Sequence, residues 1–140
     1  MENITFLMIS EHKKIKEIFN KFEKEENSEK REELYNNFKW AIEKHIFVEE
    51  KAIFTFSQNI SGRIVSDVFR LMDEHGEILN LIKEIEYESD KDIEPVFSEL
   101  KEILKNHEKF EEETFYPGLD KMLNNQQKAE LIERIKEVVH

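Results

Sequence analysis

The amino-acid sequence predicts an all-α fold, an antiparallel up-and-down four-helix bundle with a short fifth helix at the C-terminus. Apolar residues recur at helical spacing through four long segments and one shorter one. Only three Gly and two Pro occur, and charged residues make up 38% of the chain, a mixture that favours long helices with solvated outer faces over sheets. Short polar turns between such helices favour antiparallel neighbours, so we predict one domain over residues 1–140.

The first half of the chain is predicted to form two helices joined by an acidic turn. Helix one is expected over about residues 4–26, with Asn3 or Thr5 as its N-cap, because both side chains can accept a hydrogen bond from the first turn. Helix two is expected over about residues 29–57, and Ser28 is its predicted N-cap.

The second half is predicted to repeat this arrangement and to add the short helix. Ser61 is the candidate cap for helix three, expected over about residues 62–87. Helix four is expected over about residues 93–115, with Thr114 among its inward-facing residues, and Pro117-Gly118 should end it. A shorter amphipathic segment, about residues 125–138, would then pack across the bundle.

Polar side chains interrupt the apolar stripes of these helices. His45 and Glu49 are four residues apart, so a helix places them on one face, which is otherwise apolar. Burial of an unpaired carboxylate is costly, and the pair therefore needs each other, a cation or a metal ion.

The pattern occurs twice. His107 and Glu111 repeat the His-x-x-x-Glu spacing, and Glu11-His12 lies about as far before His45 as Glu74-His75 lies before His107. The middle positions of antiparallel helices come to a similar depth, so these side chains can converge. The candidate metal ligands are His12, His45, Glu49, His75, His107 and Glu111.

Two interpretations of this set compete. In one, the histidines are ordinary core residues satisfied by neighbouring carboxylates, but four inward imidazoles and two acids leave ring nitrogens without partners. In the other, two divalent cations bind between them. With no Cys in the chain, thiolate zinc sites and iron–sulfur clusters are excluded. Four nitrogens and two carboxylates leave open coordination positions, which suits iron or manganese better than closed tetrahedral zinc.

Together with the aromatic-Pro segment at residues 114–119, these six residues resemble the hemerythrin-like, or HHE cation-binding, domain, and the resemblance covers essentially the whole chain. It implies a four-helix bundle that holds a non-heme di-iron centre with an oxo or hydroxo bridge. Carried over to this sequence, Glu49 and Glu111 would bridge the irons. One iron would be served by His12 and His45, and the other by His75 and His107.

The sequence also departs from the oxygen-carrying hemerythrins. Those proteins have two His four residues apart on helix three, whereas His75 here has Leu71 before it and Leu79 after it. Their last carboxylate is an Asp five residues past the His, whereas Glu111 comes at four and Glu112 fills the fifth place. The chain thus looks like a four-His, two-Glu branch in which both irons have exchangeable positions.

Five further residues invite interpretation. Glu50 and Glu112 are expected in solvent or just behind the ligands. Tyr116 is a candidate donor to a bound ligand or bridge, as is Tyr35, although ordinary packing explains such residues more often. Trp40 lies on an otherwise polar face and hints at a contact in a homo-oligomer.

The resemblance implies a protein that binds or reacts with dioxygen or with a related small molecule, nitric oxide or peroxide. Three alternatives stay open at this point. The bundle can store, donate or sense iron, it can be a di-iron peroxidase or a nitric oxide scavenging enzyme, or it can be an interaction module without metal.

Composition also limits the classes of partner that the protein is expected to bind. The formal net charge of -11 argues against nucleic acid and against anionic membrane surfaces, because both require clustered Lys and Arg. No apolar run is long enough to span a bilayer, and the N-terminus is acidic before it is basic, unlike a secretory signal. We therefore expect a cytoplasmic protein.

Overall fold

The structure is a computed structural model that describes residues 2–57, 62–87 and 94–139. Within these ranges the chain forms five helical rods and no strand. Two of the rods change from α-helical to π-helical geometry partway along and then return. The rods are α1 (Ile4–Lys24), α2 (Ser28–Val48, the π turn Glu49–Phe54, then Thr55–Ser57), α3 (Gly62–Tyr87), α4 (Glu94–Phe110, the π turn Glu111–Phe115, then Tyr116–Met122) and α5 (Asn125–Val139).

The rods form the predicted bundle. α1 packs along α2, α3 packs along α4, and α5 lies against α2 and its π turn. The all-α bundle with a short C-terminal helix is therefore confirmed. In the parts of the chain that are described, no helix combines the length and the apolar character needed to cross a membrane.

Two apolar clusters fill the bundle, one on each side of a layer of buried polar side chains. This polar layer contains His12, His45, Glu49, His75, His107 and Glu111. Along α1, Met8 belongs to the first cluster and Ile15 to the second, with His12 between them. Along α3, Leu71 and Ile78 flank His75 in the same way. The largest side chains of the first cluster include Phe54, Phe115, Tyr116, Leu119 and Leu131, and those of the second include Phe19, Phe22, Phe38, Phe97 and Leu100.

The N-caps are partly as predicted. Asn3 caps α1 by accepting a hydrogen bond from the Phe6 amide at 2.7 Å. The prediction of Ser28 as the cap of α2 is wrong, because Asn27 accepts from the Lys30 amide at 3.1 Å and places Ser28 inside the first turn. The predicted cap Ser61, the turn after helix three and the start of helix four at residue 93 lie outside the described residues.

The predicted end of helix four at Pro117-Gly118 is also wrong, since the helix continues to Met122. The π turn just before this segment changes the hydrogen-bond register, and the amide of Tyr116 donates to the carbonyl of Glu111, five residues back. Pro117 then occupies the first turn of a new α-helical segment, where its missing N–H and fixed φ are tolerated.

The π turns also correct the predicted inward face. An uninterrupted α-helix would turn Thr114 inward, but Thr114 is only half-buried, and Phe115 and Tyr116 are fully buried instead. Both π turns begin at the repeated glutamates, Glu49 and Glu111. Such turns are rare and concentrate at functional sites, because the extra residue re-aims the side chains that follow.

Asp120, near the end of α4, binds the start of α1. Its carboxylate accepts hydrogen bonds from the Ile4 amide at 2.8 Å, the Thr5 amide at 2.9 Å and the Thr5 hydroxyl at 2.6 Å. A carboxylate at a helix N-terminus satisfies unpaired amides and complements the positive end of the helix dipole. The contact therefore joins the start of α1 to the last segment of α4.

We expect Asp120→Ala to lower the free energy of unfolding by about 1–3 kcal/mol, because it leaves the buried Ile4 amide without a partner. Urea denaturation followed by circular dichroism measures the change. The matched control is Asp73→Ala on the exposed face of α3, which should stay within about 0.5 kcal/mol of wild type. Equal effects of the two substitutions would contradict the role given to Asp120.

Candidate metal centre

Four helices each send one histidine into the polar layer, and two of them add a glutamate. The π turns hold Glu49 and Glu111 at its centre, and both side chains are 0% exposed. The histidine rings are buried as well, and their Nε2 atoms lie close to the two carboxylates. The layer consists of the six predicted residues, His12, His45, Glu49, His75, His107 and Glu111.

One group of possible ligands contains His12, His45 and Glu111. The Nε2 atom of His12 lies 3.2 Å from the Nε2 atom of His45 and 3.2 Å from Oε1 of Glu111. The two ring centroids are 4.7 Å apart. Two imidazole nitrogens this close, each aimed toward the same point, suit two ligands of one cation.

A second group contains Glu49, His75, His107 and Glu111. Oε1 of Glu49 lies 3.3 Å from Nε2 of His75, and Oε1 of Glu111 lies 3.3 Å from Nε2 of His107. One ligand atom from each of the four residues falls within 4.8 Å of the others. Glu111 belongs to both groups, so the two groups share a carboxylate.

Several polar atoms of the layer lack a hydrogen bond. Within the described residues, both carboxylate oxygens of Glu111, Nε2 of His107 and Nδ1 of His75 are buried and have no hydrogen-bond partner. Buried polar atoms in native proteins are almost always satisfied, and buried carboxylate oxygens are costly to leave unpaired. The donor set of imidazole nitrogen and carboxylate oxygen therefore fits divalent metal ions at the centre of this layer.

Outer carboxylates hold the far side of two histidine rings. Nδ1 of His12 lies 2.7 Å from Glu112, and Nδ1 of His107 lies 2.7 Å from Glu74. An ionised carboxylate can only accept, so each ring donates from Nδ1, and Nε2 is the nitrogen that faces the layer and can bind a metal ion once it has lost its proton. Glu50 is more distant, at 3.7 Å from Nδ1 of His75.

Tyr116 also reaches the layer. Its hydroxyl donates a hydrogen bond to Oε2 of Glu49 at 2.9 Å, and the side chain is fully buried. Burial raises the pKa of Tyr116 well above its ordinary value, so the hydroxyl keeps its proton. Tyr35 lies elsewhere, where its hydroxyl donates to the Ile82 carbonyl at 3.2 Å.

The electrostatics of the layer favour the charged forms of His12, His45 and His107 and of the two glutamates when no metal is bound. Burial alone lowers the pKa of His12, but the nearby carboxylates of Glu111 and Glu112 outweigh burial and raise that pKa to about 10. Burial likewise lowers the pKa of His107, but the negative charge of the nearby Glu111 outweighs burial and raises that pKa to about 12. Burial raises the pKa of Glu49, but the charge of His45 and nearby hydrogen bonds hold it well below its usual range.

The structure brings together all six residues that the sequence predicted as ligands, in the two histidine pairs that the family resemblance implied. Their binding of metal stays a prediction. Glu112 was expected in solvent or behind a ligand, and it is hydrogen-bonded to His12. The role of Glu74 was missed. Its position just before His75, repeated by Glu11 before His12, is the signal that could have drawn attention to it.

Comparisons with known proteins identify the family. Neither the curated proteins nor the solved structures gave a significant match. The family model of the hemerythrin HHE cation binding domain matches residues 3–119 and again residues 66–140. The first match includes all six residues of the buried layer, and together the two matches reach from the start of α1 to the end of the chain. The chain therefore belongs to the hemerythrin HHE cation binding domain family.

Proposed function

We propose that this protein binds two iron ions in the buried layer and reacts there with dioxygen or with a related small molecule, nitric oxide or peroxide. The observation that carries the proposal is the pair of ligand groups that share Glu111. Each group has two buried imidazole nitrogens, and a shared carboxylate can give one oxygen to each of two ions.

Ligand type and number favour iron over zinc. Two imidazoles and one or two carboxylate oxygens for each ion leave positions open if the ion takes five or six ligands. A structural zinc site would instead close at four ligands and would use thiolates, which this chain lacks. Manganese accepts the same ligands and is the second candidate.

Bound iron would supply one-electron redox chemistry and open positions for a small ligand. The residues of this chain prepare the place for it. Glu112 and Glu74 fix the ring orientation of His12 and His107 through the Nδ1 hydrogen bonds. Apolar clusters above and below the layer keep bulk water away from it.

A groove between α1 and α2 gives a small molecule a path to the layer. Its volume is about 400 Å³, and its walls include His45. Apolar groups such as Met8, Ile15 and Val48 line its interior, and charged residues stand at its sides. An apolar path of this kind suits an uncharged diatomic molecule, which loses no charge hydration on entering it.

We expect purified protein to hold about two iron ions per chain after anaerobic loading, and Glu111→Ala to hold about one or fewer, because both ligand groups lose a member. Metal analysis after desalting measures the ratio. Glu113→Ala is the matched control, an exposed glutamate in the same π turn that should leave the count unchanged. Less than one ion per wild-type chain would overturn the proposed function.

Metal uptake should release protons. In protein without metal, the raised pKa values of about 10 for His12 and about 12 for His107 keep both rings protonated at neutral pH, and a metal ligand must give up that proton. The apparent affinity should therefore rise between about pH 6 and about pH 8. Calorimetric titrations in buffers of different ionisation enthalpy measure the protons released. Affinity independent of pH would show that the histidines are not ligands.

The function itself is tested by exposing anaerobically loaded ferrous protein to dioxygen, nitric oxide or hydrogen peroxide in separate samples. We expect new near-ultraviolet and visible absorption with at least one of them, in proportion to the iron present, and a further change on adding azide. Ala41→Leu narrows the groove beside His45 and should slow the change without altering the iron count.

If the protein stores iron instead, we expect a different result in the same assays. A store should surrender its iron to a mild chelator within the time of the assay and should show no ligand-dependent spectrum. Retention of iron with no response to any of the three small molecules would contradict the proposed reactivity but not metal binding.

A further inference from the structure

The two halves of the centre are related by the repeated sequence pattern, but they differ at one pair of aromatic residues. Five residues after Glu49 stands Phe54, and five residues after Glu111 stands Tyr116. The Phe54 ring stacks on His75, with centroids 5.5 Å apart and planes at 18°. Tyr116 lies correspondingly beside His12, at 5.8 Å. The two residues therefore occupy corresponding positions in the repeat, each beside a histidine, although the Tyr116 and His12 planes are tilted by 38°, and only Tyr116 carries a hydroxyl group.

This hydroxyl makes the two glutamates unequal. Oε2 of Glu49 accepts the Tyr116 hydrogen bond at 2.9 Å, and Oε1 lies 2.9 Å from Nε2 of His45 and 3.3 Å from Nε2 of His75. Among the described residues, neither oxygen of Glu111 has a hydrogen-bond partner. Glu111 can thus offer both oxygens to cations, whereas Glu49 offers one and must break a hydrogen bond to offer the other.

The two ligand groups differ in the number of ligand atoms that they bring together. The group around His75 and His107 gathers four ligand atoms, including one from each glutamate. The group around His12 and His45 gathers three and includes only Glu111. Tyr116 lies beside His12 of the smaller group, and the oxygen of Glu49 that it holds, Oε2, is not the one that lies 3.3 Å from Nε2 of His75.

On the basis of the proposed function, we infer that Tyr116 is a positioning residue that makes the two ion positions unequal by holding one oxygen of Glu49. The position at His75 and His107 has its two histidines and two carboxylates in place, so it fills first and binds more tightly. The position at His12 and His45 fills second. Once Oε1 of Glu49 serves the first ion, the second ion must share that oxygen, displace the Tyr116 hydroxyl from Oε2 or do without Glu49.

Replacing the hydroxyl should remove this inequality. A hydrogen bond to a charged carboxylate that must be broken on binding lowers affinity by about tenfold or more. Tyr116→Phe gives both halves a phenylalanine at this place and should raise the affinity of the second step about tenfold toward that of the first. Phe54→Tyr on the Tyr116→Phe background moves the hydroxyl to the other half and should reverse the order of filling.

Two measurements test the inference. Anaerobic calorimetric titration with ferrous iron gives the two stepwise constants of wild type, Tyr116→Phe and the double variant, with circular dichroism to verify that each is folded. Histidine ring ¹⁵N NMR during titration with zinc, a diamagnetic stand-in, identifies which rings bind the first equivalent. We expect His75 and His107 to respond first in wild type.

The outcomes separate the inference from the proposed function. Two wild-type ions bound in equal steps, first binding at His12 and His45, or an unchanged ratio of constants in Tyr116→Phe would overturn the inference and leave the two-ion site intact. No ion bound to folded wild-type protein would overturn both.

Discussion

The burial of two carboxylates is the constraint on which this molecule depends. Glu49 and Glu111 are fully buried at the middle of a helical bundle, between two apolar clusters that would otherwise merge into one core. Carboxylates in such a place are stable only with cationic partners, and four imidazoles surround them. The apolar clusters supply the hydrophobic stabilisation of the bundle, and the polar layer determines how the helices must align along one another. Sliding any of the helices α1 to α4 by one turn would leave a carboxylate or an imidazole against hydrocarbon.

The helices and the candidate ligands were predictable because both follow from local periodicity. A spacing of four residues sets His45 above Glu49 whatever the rest of the chain does, and the same holds for His107 and Glu111. The convergence of these pairs was predictable from the antiparallel topology and from the repeat. Their depth in the bundle, with His12 at 2% exposure, follows from the apolar residues that flank them on each helix.

The parts that were not predictable depend on departures from regular geometry or on contacts between distant residues. A π turn has no sequence period of its own, so the inward face after Glu111 was assigned to Thr114 and helix four was ended at Pro117. Asn27 and Ser28 are equally good caps by residue type, and the structure uses the former. The hydrogen bond from His107 to Glu74 joins residues 33 positions apart on different helices, where many other glutamates compete for the same role.

The repeated helix pair also bears on how such a centre can come to exist. Each half of the chain carries two of the four histidines and one of the two glutamates, so two copies of a helical hairpin of either kind could assemble the same set of ligands around a two-fold axis. In a symmetric dimer the two halves are identical, so any substitution appears in both. In one polypeptide the two halves can differ. A single tyrosine hydroxyl, such as that of Tyr116 on Glu49, can then be selected without a second copy in the other half.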